Sequence, residues 1–320
     1  MPVRKRRFVV PCVLFFTIGL LACEPAVREV PSNGDADSGT DADADTDSDS
    51  DADSDTDSDT DTETSDCAEG TELVYVVDED NMFYSFDPLA AADSAFQPVG
   101  AGPLSCPSGG QPFSMAVGRD GYAYVLFTDE LFESCFGINK VDIETGACEG
   151  LIPFTCGTSG FDMFGMGFVT DGPDTTQEKL YVGDMLSPSQ LATLDVTNGE
   201  VSVIGILESA GPEFTGNGLG ELWGFFPNAP TPTVSQIDKS TGQTIADETY
   251  PLSELSAGAT AWAFAYWGGA NYIFYRGHDI EEPWTNVYKL EDGVFTTHLV
   301  DTGKIIVGAG VSTCAPTVIE

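Results

Sequence analysis

A short motif recurs along this chain: an aliphatic residue, an acidic residue and, a few positions later, a glycine. The copies are residues 141–146 (VDIETG), 194–199 (LDVTNG), 237–242 (IDKSTG) and 290–293 (LEDG), with a degenerate copy at 86–88 (FDP). Glycine supplies the positive φ that a tight hairpin requires. Apolar strands flank each turn, and another hairpin precedes it, most clearly at 115–127. The pattern predicts units of four antiparallel strands that repeat every ~43 to 55 residues.

Five such units can be placed, and they predict an all-β protein. The first unit, 72–99, has three strands, and a spare strand lies near the C-terminus at 305–311. The four complete units are 113–154, 161–207, 214–252 and 261–300. This arrangement resembles NHL-type and YVTN-type β-propellers, in which a C-terminal strand completes the first blade. The resemblance implies a propeller with five blades of four antiparallel strands, closed by that strand and without exposed sheet edges. A lectin-like sandwich is the alternative fold.

The N-terminus has the layout of a secretory signal. Four basic residues (4–7, RKRR) precede an apolar run at 8–21, and this run is shorter than the roughly 20 residues of a membrane-spanning helix. The next residues, 20–23 (LLAC), resemble the lipobox of bacterial lipoproteins. That resemblance implies cleavage of a signal peptide at 1–22 and acylation of Cys23, which anchors the protein to a membrane. An ordinary cleaved signal with a chance cysteine is the alternative.

Residues 23–66 are expected to be a tether. From 34 to 66, Asp alternates with Ala, Ser or Thr, without aromatic or large aliphatic side chains, so this stretch cannot bury enough apolar surface to fold. Similar tracts follow the lipobox in surface lipoproteins of myxobacteria. In the lipoprotein family, an Asp directly after the acylated cysteine favours retention in the inner membrane. This chain has Glu24 at that position, so the resemblance favours the outer membrane of the cell envelope. Calcium binding is the alternative for this stretch, but it lacks in register the glycine and the closing glutamate that an EF-hand loop requires.

The remaining residues, 67–320, form one expected domain with a strongly acidic balance. The whole chain has 52 acidic residues against 12 basic ones and a net charge of −40. Nucleic acids and anionic lipid headgroups are therefore poor partners, since both require positive charge. Cationic ligands, metal ions and neutral carbohydrates remain open. The sequence identifies no cofactor, and calcium is the one candidate that it suggests.

Six cysteines follow Cys23, and an even number in an exported domain predicts disulfides, with fifteen possible connectivities. If the closing strand pairs with the first strand, Cys67 and Cys314 lie at the same end of the first blade, which favours a bond between them. Cys135 and Cys156 flank one hairpin at similar distances, and their pairing would leave Cys106 with Cys148. Unpaired buried thiols are the alternative. A zinc site is less well supported, because the chain has no Cys-x-x-Cys pair.

Acidic residues recur in the connections between second and third strands, which a propeller places on one face. We expect them to form an acidic face that binds a cation or sugar hydroxyls. The candidates are Asp78, Asp80, Asp129, Asp184, His278, Asp279 and Trp284. Solvated loop carboxylates without a ligand are the alternative, because loops are polar in any case.

Two functions fit this architecture. One is a surface module that binds a protein or a glycan. The other is a carbohydrate-active enzyme, because some five-bladed propellers are glycosidases with paired carboxylates on their inner strands. The first strands of three units, at 115–117 (MAV), 166–168 (MGF) and 262–264 (WAF), contain no carboxylate. The sequence therefore favours binding and predicts no catalytic residue.

Overall fold

The computed structural model describes residues 67–173, 175–256, 258–278 and 283–319. The signal peptide, Cys23 and the tether all lie outside the described residues, and so does Asp279. Within them the chain forms twenty β-strands. The described part contains no helix of the length and apolarity that crossing a membrane would require.

The strands form five four-stranded antiparallel sheets, which are the blades of a propeller. Blade 1 contains β1 (Val74–Asp78), β2 (Phe83–Phe86) and β3 (Phe96–Pro98). Blade 2 contains β4 (Gln111–Val117), β5 (Tyr122–Thr128), β6 (Cys135–Asp142) and β7 (Cys148–Leu151), and blade 3 contains β8 (Phe164–Thr170), β9 (Glu178–Asp184), β10 (Gln190–Leu194) and β11 (Val201–Ile206). Blade 4 contains β12 (Glu213–Gly216), β13 (Leu222–Phe226), β14 (Thr233–Ile237) and β15 (Thr244–Pro251), and blade 5 contains β16 (Ala261–Trp267), β17 (Ala270–Arg276), β18 (Asn286–Glu291) and β19 (Val294–Leu299). The last strand, β20 (Ile306–Val311), pairs with β1 and completes blade 1, so the predicted five-bladed fold is confirmed.

The repeated Asp-to-Gly motif forms the turn between the third and fourth strands of a blade. Asp142 Oδ1 accepts hydrogen bonds at 2.8 Å from both the backbone N–H and the hydroxyl of Thr145. Gly146 has a φ of +70°, and its N–H donates to the Asp142 carbonyl at 2.9 Å. Asp195 and Asp238 cap the equivalent turns of blades 3 and 4 in the same way. These aspartates therefore act on the fold, as side-chain caps of tight turns.

Five hydrophobic clusters lie between neighbouring blades, one at each of the five interfaces. At the interface of blades 5 and 1, for example, the ring of Phe86 packs edge-on against Phe274, with centroids 5.3 Å apart. Both side chains are fully buried, and each such burial contributes roughly 1.5–3 kcal/mol. The described residues form one compact unit that contains every cluster.

Three disulfides join the pairs that the sequence analysis favoured. Cys67 bonds to Cys314 across the closure of the ring, with Cα atoms 6.0 Å apart. The closure also includes antiparallel pairing of β1 with β20, in the register Val74 to Val311. The other bonds join Cys106 to Cys148 and Cys135 to Cys156.

Candidate functional site

The inner strand of each blade lies next to the axis of the propeller: β20, β4, β8, β12 and β16. We call the end at which these strands begin the upper face and the opposite end the lower face. Because adjacent strands are antiparallel, the connections between second and third strands lie on the upper face. Cys67 and Cys314 lie on the lower face, since they flank the start of β1 and the end of β20.

An axial pocket opens on the upper face, with a volume of about 270 Å³. Its walls are mainly apolar and come from the inner strands and from the upper connections of blades 2 and 3. The residues that define it are Phe113, Phe132, Met185, Glu213, Trp262 and Val307. Glu213 and Thr260 are the polar residues of the lining, and a mainly apolar cavity with a few polar groups is the usual form of a small-ligand site.

Phe132 extends from the connection between β5 and β6 toward the pocket. Its ring lies 6.0 Å from that of Phe113, and its backbone has a φ of +54°, which is a strained conformation for an aromatic residue. Asp129 holds this loop, because its Oδ1 accepts the Glu133 N–H at 2.8 Å and its carbonyl accepts the Phe132 N–H at 3.1 Å. The strain at Phe132 is thus maintained at the rim of the pocket.

Glu213, the first residue of β12, contributes a carboxyl group to the axial pocket. Its side chain is only 1% exposed, and its Oε1 accepts a hydrogen bond of 2.5 Å from the Ser114 hydroxyl. The carboxyl also accepts the Met166 N–H, whereas Oε2 has no partner among the described residues. Burial raises the pKa of Glu213 well above its ordinary value, and the two hydrogen bonds act in the opposite direction. A neutral carboxyl at this position can donate a hydrogen bond from its free oxygen.

The close approach of β8 to β12 positions Glu213. A Cβ atom built on Gly165 would lie 2.1 Å from the Pro212 carbonyl oxygen and 2.8 Å from the Glu213 Cα. Only glycine allows the two inner strands to lie this close at the start of β12. The identity of residue 165 therefore determines how far Glu213 enters the axis.

Residues at the lower end of the axis hold Thr313, which follows β20, against three other blades. The Thr313 hydroxyl donates to Glu178 Oε2 at 2.7 Å and accepts from Arg119 Nη1 at 3.3 Å. A Cβ atom on Gly218 would lie 2.6 Å from the Thr313 carbonyl oxygen. These contacts with blades 2, 3 and 4 hold the segment across the lower end of the axis. Because the lower end is covered, the axial pocket is accessible from the upper face.

Replacing Glu213 with Gln should alter how stability depends on pH. Because the folded-state pKa of Glu213 is raised, its stabilising contribution is fully present below the unfolded-state pKa. That contribution is lost as the pH rises toward the folded-state value, by about 1.4 kcal/mol per pH unit. Gln does not ionise, so the Glu213→Gln protein should gain stability relative to the unchanged protein as the pH rises from about 4.5 to about 7.5. Urea unfolding at several pH values measures this difference.

The exposed Glu200 provides the control for that series, since Glu200→Gln removes the same charge without affecting a buried carboxyl. Its stability difference should change little over the same pH range. Parallel pH profiles for the Glu213→Gln and unchanged proteins would contradict the assignment of a buried, mainly protonated carboxyl.

Three of the residues expected to form one acidic face, Asp78, Asp129 and Asp184, lie at the upper ends of their blades and form hydrogen bonds within their own turns. Asp78 Oδ1 accepts the N–H groups of Asp80 and Met82 at 3.0 and 2.8 Å, and Asp184 Oδ1 accepts the Leu186 N–H at 2.9 Å. Burial raises the pKa of Asp78 and of Asp184, whereas the Glu133 N–H lowers the pKa of Asp129.

These carboxylates cap their own turns, and the described residues contain no group of three or more His, Cys, Asp or Glu side chains that could hold a metal ion. The prediction that Asp80, Asp129, Asp184 and Asp279 converge on calcium stays a prediction, because Asp279 lies outside the described residues. Trp284 is 40% exposed in the connection between β17 and β18, and His278 lies in the same connection, next to Asp279, which is outside the described residues.

The three first strands named from the sequence contain no carboxylate in the structure either, but the inner strand of blade 4 begins with one, Glu213. The fourth predicted unit begins at residue 214, one position after Glu213. An acidic residue that follows Pro212 at the start of a short apolar stretch resembles a solvated turn residue. The signal that could have identified Glu213 is its position, since inner strands begin at the axis and contribute side chains to it.

No family model matches the chain, and no curated protein is significantly similar to it in sequence. Similar solved structures include a chain of a nidogen/laminin complex, with 8% identity, a TM-score of 0.46 and coverage of 74% of this chain and 97% of that one. TolB from Acinetobacter baumannii has 10% identity and a TM-score of 0.42 over 71% of this chain, which spans about half (52%) of TolB. Regucalcin, a calcium-binding protein from Agrobacterium tumefaciens, has 15% identity and a TM-score of 0.40, with coverage of 67% and 68%. At these identities the likeness concerns the fold alone.

Proposed function

We propose that this protein is a lipid-anchored binding module of the cell envelope, and that it binds an apolar group of a protein or glycan partner in the axial pocket. The observation that carries the proposal is the meeting of aromatic walls with one buried carboxyl at the mouth of the ring. Trp262 and Phe132 supply contact area, and a protonated Glu213 supplies a hydrogen-bond donor. The group that fits is therefore neutral and mainly apolar, with an acceptor oxygen near Glu213.

Exposed apolar side chains around the pocket favour a protein partner over a glycan. Leu131, Phe136 and Leu186 are 73%, 43% and 67% exposed, and all three lie in or beside the upper connections. Phe132 and Trp284 add two exposed aromatic rings to the same face. Clusters of exposed apolar side chains are typical of protein interaction surfaces.

The position of Cys67 supports an outward orientation of the pocket. Cys67 is the first described residue and is bonded to Cys314 on the lower face. A tether that enters there leaves the upper face free for a partner. The three disulfides also agree with an exported domain, because such bonds persist in oxidising compartments.

A glycosidase function is less well supported by the described residues. Hydrolysis with paired carboxylates requires two carboxyl groups about 5 to 10 Å apart. Glu213 is the one carboxyl among the described residues that line the pocket, and its hydrogen bonds fix it in the wall. The geometry therefore favours binding.

The neutral apolar dye N-phenyl-1-naphthylamine tests the pocket. We expect it to bind the purified protein with saturable fluorescence, and Trp262→Ala should weaken binding by about tenfold, which corresponds to about 1.4 kcal/mol. Trp284→Ala is the matched control, since Trp284 is exposed on the same face but does not line the pocket. Equal losses in both variants, or no loss in Trp262→Ala, would overturn the proposed site.

A further inference from the structure

A second cavity lies between blades 4 and 5, near the lower face, with a volume of about 200 Å³. We call it the interblade cleft. Trp223 and Tyr250 form one wall, with stacked rings 6.4 Å apart, and three carboxylates and two amides line the cleft from both blades. These are Glu221, Glu248, Asp292, Gln236 and Asn271.

The three carboxylates have no cationic partner in the cleft. Glu221 Oε2 accepts from Asn217 Nδ2 at 2.7 Å, and Glu248 Oε2 accepts from the Tyr250 hydroxyl at 2.7 Å. No Lys, Arg or His is among the described residues that line it. The hydrogen bond to Glu248 raises the pKa of Tyr250 to about 12, with smaller contributions from burial and from the charges of Glu248 and Asp292. The cleft is thus an electronegative site.

Asn271 provides an independent indication of a ligand. Its side chain is only 5% exposed, and its Oδ1 has no hydrogen-bond partner among the described residues. Asn271 pairs directly with Tyr266 in the register of β16 and β17, so both side chains lie on the sheet face that lines the cleft. A buried acceptor without a donor costs about 1–3 kcal/mol, which a donating ligand would relieve.

We propose that the interblade cleft binds an alkylammonium group, as found on a lysine side chain or a polyamine. The buried polar atom without a partner in the cleft, Asn271 Oδ1, is an acceptor, and the three carboxylates beside it are acceptors too, so a ligand that donates hydrogen bonds fits the cleft best. Aromatic rings beside carboxylates favour a cation with an apolar stem. The carboxylates are not grouped to hold a metal ion, and the net charge of −40 attracts cations to the whole molecule.

Calorimetric titration of the purified protein at low ionic strength tests this site, with N-acetyl-L-lysinamide and spermidine as probes. The neutral analogue N-acetyl-L-norleucinamide retains an apolar stem without the charge and should not bind. The tighter of the two amines identifies the source of the ammonium group. The double variant Glu248→Gln with Asp292→Asn should weaken amine binding by about tenfold or more, and Asn is tolerated at the positive φ of residue 292.

A matched control separates the cleft from general attraction to an acidic protein. Glu144→Gln with Glu200→Gln removes two exposed charges from the turns of blades 2 and 3 and should leave amine binding unchanged. Equal losses in both double variants would overturn the proposal, as would binding of the norleucine analogue or no binding of either amine. Dye binding in the axial pocket is measured separately and should survive the cleft variant.

Discussion

Removing the disulfide that closes the ring should lower the free energy of unfolding by about 5 kcal/mol. The double variant Cys67→Ser with Cys314→Ser frees a loop with a sequence separation of 247 residues, and the loss of loop-closure entropy in the unfolded chain grows with that length. The bond also lies where β20 joins β1, which is the place at which the ring is otherwise closed without a covalent link. For a domain of this size, the melting temperature should fall by roughly 10–20 °C.

The other two disulfides serve as controls for this prediction. Cys106–Cys148 and Cys135–Cys156 enclose separations of 42 and 21 residues, so their removal should cost about 4 and about 3.4 kcal/mol. Thermal unfolding of the three double serine variants under non-reducing conditions gives the order of their stabilities. A ring-closing variant that is the most stable of the three would contradict the view that this bond locks the ring.

Replacing Cys23 with Ala should release the protein from the membrane fraction. An acylated cysteine anchors the chain through several acyl groups, and each buried methylene contributes about 0.8 kcal/mol. Without the thiol no lipid can be attached, and the apolar run at 8–21 is shorter than a membrane-spanning helix. Fractionation of cells followed by detection of the protein measures the change from membrane-bound to soluble.

Cys12 provides the matched control, since it lies in the apolar run before the expected cleavage site. Cys12→Ala should leave the protein in the membrane fraction, and mass spectrometry should find acyl groups on Cys23 of that variant. Retention of Cys23→Ala protein in the membrane, or loss of both variants, would contradict anchoring through Cys23.

The sequence predicted the fold because its turns are encoded locally. Each Asp-to-Gly motif contains both the cap and the residue with positive φ, as Asp142 and Gly146 show. Four such turns and the degenerate copy at 86–88 recur at similar spacing, which is sufficient to count the blades. The pairing of Cys67 with Cys314 then followed from ring closure, which places the start of β1 and the end of β20 together.

The site was harder to predict, because it depends on contacts between residues distant in sequence. Ser114 and Glu213 are separated by 99 positions and meet only when five inner strands surround the axis. Conversely, Asp78 and Asp184 were expected to act together, but each forms hydrogen bonds with backbone N–H groups of its own turn. Composition shows which residues are acidic, whereas burial and hydrogen bonding decide which of them has an unsatisfied oxygen.

The central claim is that the axial pocket receives the ligand, and a crystal structure of the protein with N-phenyl-1-naphthylamine tests it most directly. We expect density for the dye between Trp262 and Phe132, the two aromatic walls of the axial pocket. Density for the dye only at another site, with the space between Trp262 and Phe132 empty, would contradict the claim.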